Sequence, residues 1–416
     1  MNILIRNFFV GIALLAFLIA FSPSYNSLNI DHLAYVIGIG IDYGENEKFK
    51  ISFQFAPKSS EGSSNSETGS SSGSSESQNS SSIINTIEAP SIETAINLMN
   101  SYLAKKINLS HCKIIVFSEE VAYNGISDEI YTLINNSEIR KSTSIVVSKC
   151  NADTYLKDSS PILENIITRY YDIFPYSSKY TGYVYNATIG DFFNNLSCNY
   201  CEPTAILGGI NSSNEKFFNK NDKGIENSKS SDNLFEGLRD SQNIGLAVFK
   251  DDKLVGELTA SETLCYCIIN GELDSFMISI PDPDDENKKL DLTIFPKNKR
   301  KIDIKIVNNT PYIKFSNEFI GRIHTVDRDS DYLDDKKLNE ISDYANKYLT
   351  DLITNYLYKT SLEFKSDING FGTNALSDFL TLKDFDSYNW QNSYSDSTFK
   401  VDIKTIIESS ILVTET

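Results

Sequence analysis

Short apolar runs bounded by polar turns dominate the first part of the chain. YVIGIGID and KFKISFQFA read as two strands, and the intervening YGENE holds Gly44, Glu45 and Asn46, residues suited to a reversal. SIINTIEA reads as another strand. Ser91 then caps a helix whose apolar positions Ile92, Ala95, Ile96, Met99 and Leu103 keep helical spacing. KIIVFS is a continuous apolar run and predicts a buried strand. Ser118 opens a helical segment broken at Gly125, SDEIYTLIN resumes it, and SEIRKSTSIVVSK returns to extended structure. PILENIITRYYDIF and ATIGDFFNNL predict further helices.

The second half repeats the mixture. IGLAVFKDDKLVGELTASE predicts a strand, a turn at Asp251-Asp252, a strand and a helix start that continues through SETLCYCIING. RKIDIKIVNNTPYIKFSNEFIGRIHTV alternates through at least two strands joined at Asn308-Asn309. Leu338, Ile341, Ala345, Tyr348, Leu352 and Tyr356 recur at three and four, which predicts a long helix with one apolar stripe. FKVDIKTIIESSILVTE predicts a final strand. The fold class is therefore α/β of mixed α+β type and multi-domain, with mixed sheets and a C-terminal sheet packed on the long helix.

Composition sets the boundaries. KSSEGSSNSETGSSSGSSESQNSSS, residues 58–82, has no apolar residue and predicts a flexible loop. Residues 211–243 are polar and predict an exposed excursion, and the acidic PDPDDEN at 281–287 predicts a turn between units. We divide the chain into an N-terminal segment 1–25, an α/β domain 26–185 that includes the Ser-rich loop, a middle domain 186–285 and a C-terminal α/β domain 286–416. That fits 416 residues, about three times a typical domain length. The formal net charge of -18 repels nucleic acid and excludes it as a partner.

The run at residues 8–21 is apolar, uncharged and preceded by Arg6, the arrangement of an export signal. At 1.5 Å per helical residue it reaches roughly 21 Å, short of a bilayer core, whereas residues 3–25 with a snorkelling Arg6 just span one. Ala20-Phe21-Ser22 offers small residues at the positions a peptidase reads, and Pro23 after the cut opposes cleavage. Cleavage and retention are both open at this point.

Signatures of catalysis are missing: the chain has no phosphate loop, dinucleotide fingerprint, serine elbow or zinc-protease helix. The histidines, His32, His111 and His324, each stand alone and are assigned structural or surface roles. Cys198 and Cys201 in CNYC have the spacing of half a zinc site and are the metal candidates, with Cys265 and Cys267 as the other half or as a second disulfide. Residues two apart on a helix point about 200° apart, which opposes a shared metal at the latter pair. Buried apolar packing is the alternative for Cys112, Cys150, Cys265 and Cys267. PDPDDEN lacks the ligand spacing of a calcium loop and reads as a solvated turn. No cofactor is expected and no enzymatic activity. A solute-binding protein that uses its many Tyr and Phe is the rival, and a hydrolase with paired carboxylates is a further one.

HCKIIVFSEEVAYNGISDEIYTLINNSEIRKSTSIVVSK, GLAVFKDDKLVGELTASET and KSDINGFG occur in an order and separation that resemble the Ger(x)C family of spore germination proteins, from about Asp31 onward. The opening strand pair and the Ser-rich insertion after it are similar as well. The resemblance implies a three-domain α/β protein, the C subunit of a nutrient germinant receptor, on the outer face of the inner spore membrane. It implies A-type and B-type subunits as partners, the latter polytopic, and a role in assembly and signalling rather than catalysis. Asp42, Arg140, Gly245, Gly256, Glu257, Asp367, Gly370 and Gly372 match the family motifs. The glycines are assigned to turns or close packing, and the charged positions to structural ion pairs. Members of the family carry a lipobox cysteine before the first strand, whereas here no Cys precedes Cys112. Without that thiol, retention through the uncleaved apolar segment is favoured over release, with Arg6 on the cytoplasmic side.

Overall fold

IIVFS and SIVVS are apolar at every position, so neither strand can offer a face to water and helices must cover both sides. The computed structural model, which describes residues 32–56, 82–159, 167–210, 241–283, 288–324 and 334–408 and a few positions between 6 and 17, has that arrangement. β1 (Leu33–Tyr43), β2 (Phe49–Phe55), β3 (Ile83–Ala89), β4 (Lys106–Asn108), β5 (Ile114–Ser118), β6 (Ser144–Ser148), β7 (Thr204–Ile210), β8 (Ser241–Lys250) and β9 (Lys253–Leu258) form one sheet. Its order is β3-β2-β1-β5-β6-β7-β8-β9, with β4 beside β1. The middle strands run parallel, and an antiparallel pair closes each side. β5 and β6 are buried along their whole length.

A second sheet holds β10 (Phe276–Pro281), β11 (Lys289–Pro296), β12 (Lys301–Val307), β13 (Thr310–Ile323) and β14 (Thr398–Glu408). The helices are α1 (Ile92–Leu103), α2 (Glu119–Asn124), α3 (Ser127–Asn135), α4 (Ala152–Asp158), α5 (Ile167–Ile173), α6 (Ser178–Thr181) and α7 (Ile189–Leu196), then α8 (Ala260–Asn270), α9 (Asp335–Tyr358), α10 (Phe371–Ala375), α11 (Leu382–Tyr388) and α12 (Trp390–Ser393). Each sheet has its own apolar cluster. α8 is buried from Ala260 to Ile269 except at Glu262, and its residues Leu264 to Ile269 belong to the second cluster. Its Thr259 and Glu262 form a capping box, and Gly271 ends it in the left-handed conformation.

Several expectations needed adjustment. The strand in SEIRKSTSIVVSK begins only at Ser144, because the Asn136 side chain accepts from the Glu138 N–H and backbone turns close at Ile139 and Thr143. On α9 the buried row is Ile341, Ala345, Leu349, Ile353 and Tyr356, so Leu338, Tyr348 and Leu352 flank the seam rather than form it. The apolar run 8–21, the Ser-rich loop, most of 211–243, the end of PDPDDEN and the first half of PILENIITRYYDIF fall largely outside the described residues. Among the described residues, no helix is long and apolar enough to cross a membrane.

β13, α9 and β14 make a crossover unit in which β14 pairs parallel to β13 along Tyr312 to Arg322. The outer N–H groups of β14 would be exposed, but α9 supplies their acceptors: the Thr405 N–H donates to Asn346 Oδ1 at 2.6 Å and the Ile407 N–H to Ser342 Oγ at 3.3 Å. Asn346→Ala removes the shorter of these bonds. It is expected to cost about 1–2 kcal/mol of unfolding free energy in urea titrations, with the secondary structure unchanged.

Candidate functional site

α9 does not end by fraying. Its last turn widens into a π-helical turn at Lys359–Phe364, which carries the Phe364 ring onto β9. Gly256 is what admits the ring, since a Cβ there would sit 2.2 Å from a ring carbon. Lys365 turns the chain with φ 52°, and the Ser366 hydroxyl donates to the Phe249 carbonyl of β8 at 2.6 Å. Gly245, in the same strand, holds φ 94°, and a Cβ there would meet the Leu258 carbonyl oxygen at 2.4 Å. The hairpin of GLAVFK and VGEL and the segment KSDINGFG, far from it in sequence, therefore form one junction between the two sheets.

Asp367 lies at its centre and is wholly buried. Its carboxylate accepts from the Phe371 N–H at 3.0 Å, the Gly372 N–H at 2.8 Å and the Trp390 indole N–H at 2.8 Å. Gly370, with φ 67°, shapes the turn that aims those amides, and Gly372 packs against the Tyr200 carbonyl and Trp390. Burial pushes the Asp367 carboxyl up to about 6, and the donors around it limit the rise. Asn369 joins the loop to both neighbours: it accepts from the Tyr356 hydroxyl of α9 at 2.7 Å and donates to the Asn270 side chain of α8 at 3.2 Å.

A second carboxyl that the sequence did not single out lies on the same side. Glu202 is buried; its Oε2 accepts from the Asp251 N–H at 2.6 Å, while Oε1 has no partner. Burial pushes its carboxyl up to about 8, and the charges of Asp251 and Asp367 add to the rise. Directly before it, Cys198 and Cys201 are joined as a disulfide, and the Gln391 side chain donates to the Cys201 carbonyl at 3.3 Å. This corrects the metal reading of that pair, because sulfurs bonded to each other are not thiolate ligands. Among the described residues no group of three His, Cys, Asp or Glu is placed to hold a metal ion. Cys265 and Cys267 are free and buried in α8, Cys112 is buried and Cys150 partly so. Burial pushes the thiols of Cys112 and Cys267 up to about 12, out of the range of useful nucleophiles. His111 stacks on Tyr35, and His324 bonds Thr293 at 2.6 Å.

The remaining motif positions divide by partner. Asp42 is buried and accepts from the Ala152 and Asp153 N–H groups at 2.7 and 3.1 Å, capping α4 from a strand distant in sequence. Burial raises its carboxyl despite those bonds. Beside it, and against the opposing effect of burial, the Lys50 ammonium at 2.7 Å holds Asp153 down at about 2. Glu257 pairs with Lys149, which also reaches Glu119 at 2.8 Å, and Lys359 pairs with Glu262 at 2.8 Å across the α8–α9 boundary. Ion pairing thus holds for Glu257, whereas Asp42 and Asp367 bind N–H groups instead. Arg140 is exposed and has no ion pair among the described residues; it lines a cleft of about 460 Å³ whose walls include Lys179, Thr188 and Glu272. Neither Asp367 nor Glu202 lines that cleft.

The fold defines a mixed α/β class with two sheets, and Gly256 and the Asp367 loop lie at the junction between them. The sequence profile described as spore germination protein N-terminal domain matches residues 26–209, and the one described as spore germination B3/GerAC-like, C-terminal, matches residues 244–410. The chain belongs to the Ger(x)C family of spore germination proteins. The crystal structure of the GerBC protein is similar in fold, with TM-score 0.53 at 18% identity over 89% of this chain and 96% of that one. No curated protein matches the chain.

Two substitutions probe the junction. Asp367→Ala strands three buried donors and is expected to cost about 3 kcal/mol or more in denaturant titrations. Glu202→Gln tests the second carboxyl. The folded chain keeps the Glu202 proton up to about pH 8, whereas the unfolded chain releases it near its ordinary value of 4.5. Stability contributed at this site therefore falls as pH rises through that window and levels above it. The variant lacks the effect, so its advantage over the parent protein should be near zero at the acid end, grow towards pH 8 and then stay constant in urea titrations across that range.

Proposed function

We propose that this chain is the C subunit of a nutrient germinant receptor, a non-enzymatic component that supports receptor assembly and nutrient-triggered signalling. Its partners in this reading are an A-type and a B-type subunit, at the extracytoplasmic face of the inner spore membrane. The observation that carries the proposal is the junction: the β8–β9 hairpin and the loop after α9 meet where Phe364 packs on Gly256 and Ser366 bonds Phe249, with Asp367 organising that loop. A subunit that passes a conformational signal between partners needs such stiffness, because packed cores switch between discrete arrangements rather than deform smoothly. In this reading the bonds of Asp367 to Phe371, Gly372 and Trp390 are structural.

Retention at the membrane falls to the apolar segment 8–21 in this reading, since Cys112 is the first thiol in the chain. The test is purification of the tagged full chain from spore membranes in mild detergent. The A-type and B-type subunits are expected to copurify, and mass spectrometry is expected to find an N-terminal peptide that includes residues 8–21. Recovery of the chain alone from every detergent would overturn the assembly claim. A mature terminus at Pro23 or Ser24 would overturn retention while leaving assembly intact.

A further inference from the structure

The second sheet packs its core against one face only. Along β13 the odd-numbered residues from Pro311 to Ile323 are buried, and the even-numbered ones are turned to solvent; β14 alternates in the same sense. Strand pairing lines the outward residues up in rows. Lys301, Ser316 and Asp402 form one row, Asp303, Lys314 and Lys400 the next, and Lys305, Tyr312 and Thr398 a third. On the other side of the first row, Glu318 stands beside Lys404. The loop PKNKR, which joins β11 to β12, adds Lys297, Lys299 and Arg300 directly before Lys301.

The carboxylates that face this charge can be named in full from the neighbouring strands and loop. Asp303 lies between Lys301 and Lys305, and Asp402 stands 3.9 Å from Lys314. Glu318 accepts from the Asn298 side chain at 2.6 Å, and the charge of Glu272 acts on Arg300 from beyond the loop. All of them keep their charge, and the cations of these rows and the loop still outnumber them. The ratio in the whole chain is the reverse, with Asp+Glu 56 against Lys+Arg 38. Towards β10 the face is balanced, because Lys289 and Arg322 are matched by Asp291 and Glu408. Lys297, Lys299, Lys301 and Lys305 are exposed and make no ion pair among the described residues.

At physiological salt a charge is felt over about 8 Å, so a surface in contact with this face meets the local excess rather than the net charge of the chain. Composition separates the kinds of surface. Protein interfaces are enriched in Arg and aromatic residues and depleted in Lys, whereas this patch is built almost wholly from Lys. Ammonium groups on long stems, spread over an open sheet, suit a diffuse layer of negative headgroups. We propose that the β12 side of this face docks on an anionic phospholipid surface, with Lys297, Lys299, Lys301 and Lys305 over the headgroups. The inference needs no partner subunit and stands apart from the receptor reading.

The test is reconstitution of the full chain into phosphatidylcholine vesicles with and without phosphatidylglycerol, with the acetylation rate of each lysine by a neutral reagent read by mass spectrometry. With phosphatidylglycerol present, Lys297, Lys299, Lys301 and Lys305 are expected to react roughly threefold or more slowly at about 0.15 M salt, and to recover at about 1 M, where screening shortens to about 3 Å. Lys105 and Lys253, exposed beside the first sheet, are expected to react alike in both vesicles. The triple variant Lys297→Glu, Lys299→Glu, Lys301→Glu is expected to abolish the slowing at Lys305 and to keep the parent melting temperature. Equal rates in the two vesicles, a slowing that survives 1 M salt, or a triple variant that behaves as the parent would each overturn the proposal. Slowing that grows with protein density in phosphatidylcholine alone would overturn it too, and assign the face to a second copy of the chain. Retention through residues 8–21 is read separately by flotation: a chain that floats with phosphatidylcholine and shows equal rates keeps retention and sinks the docking face. A chain that floats only with phosphatidylglycerol supports the docking face and sinks retention.

Discussion

Everything in the second half of the molecule depends on placing a carboxylate where water cannot reach it. Ionised Asp367 in an apolar junction would be prohibitive without compensation, and the chain supplies it from three directions: two amides of its own loop and the indole of Trp390. The loop can fold this way only if it starts from the π-helical end of α9, turns at Lys365 and passes Gly370, so helix end, turn and carboxylate specify one another. Once formed, the loop ties α9 to β8 through Ser366 and to α8 through Asn369. The relative position of the two sheets then follows from polar geometry, which is directional, rather than from apolar contact, which is not.

The same burial that stiffens the molecule silences its reactive groups. The hydroxyls of Tyr155, Tyr266, Tyr356 and Tyr394 are held well above the ordinary tyrosine value by desolvation, as are the thiols of α8. Tyr356 and Tyr394 act as hydrogen-bond donors or acceptors to Asn369 and Thr360, and so as parts of the junction. Glu202 is the exception in kind, a buried carboxyl with one oxygen unsatisfied. A group of that sort lowers stability as it ionises, which makes the disulfide-bearing end of the junction the weaker one at alkaline pH.

Local periodicity carried the hairpin of β1 and β2, α1, β5, the α2–α3 break at Gly125, the Asp251-Asp252 turn and the β12–β13 reversal. At that reversal Asn308 and Asn309 both take positive φ, as a two-residue turn requires. What escaped was fixed from a distance. α4 is short, and its cap comes from Asp42 more than a hundred positions earlier, so no window along ADTYLKD could contain the signal. β4 is three residues long, below the length at which alternation can be read. β7 carries Gly208 and Gly209, residues that weaken a strand signal, yet both pair with β8. The resemblance supplied Asp367 and the glycines as positions without supplying their partners. Trp390 and Glu202 drew no attention because a single indole or carboxyl has no pattern of its own. The spacing of CNYC suits a metal and a disulfide equally, and only the fold decides between them.

α8 connects the junction and the cleft. At its C-terminal end Asn270 bonds the Asp367 loop through Asn369, while Glu272, two residues on, lines the cleft where Arg140 stands. The helix is buried along almost its whole length in the second apolar cluster, so it cannot turn or slide by a small amount without disturbing that cluster. A ligand shifts a protein only as far as it prefers one arrangement over another. The walls of this cleft come from the first sheet's side, at Arg140 and Thr188, and from the end of α8, at Glu272. A ligand that bridges those walls acts on the position of α8, and α8 is hydrogen-bonded to the loop that fixes the second sheet. The molecule therefore contains a short physical route from the cleft lined by Arg140 and Glu272 to the junction between its sheets, built from one helix and two asparagine side chains.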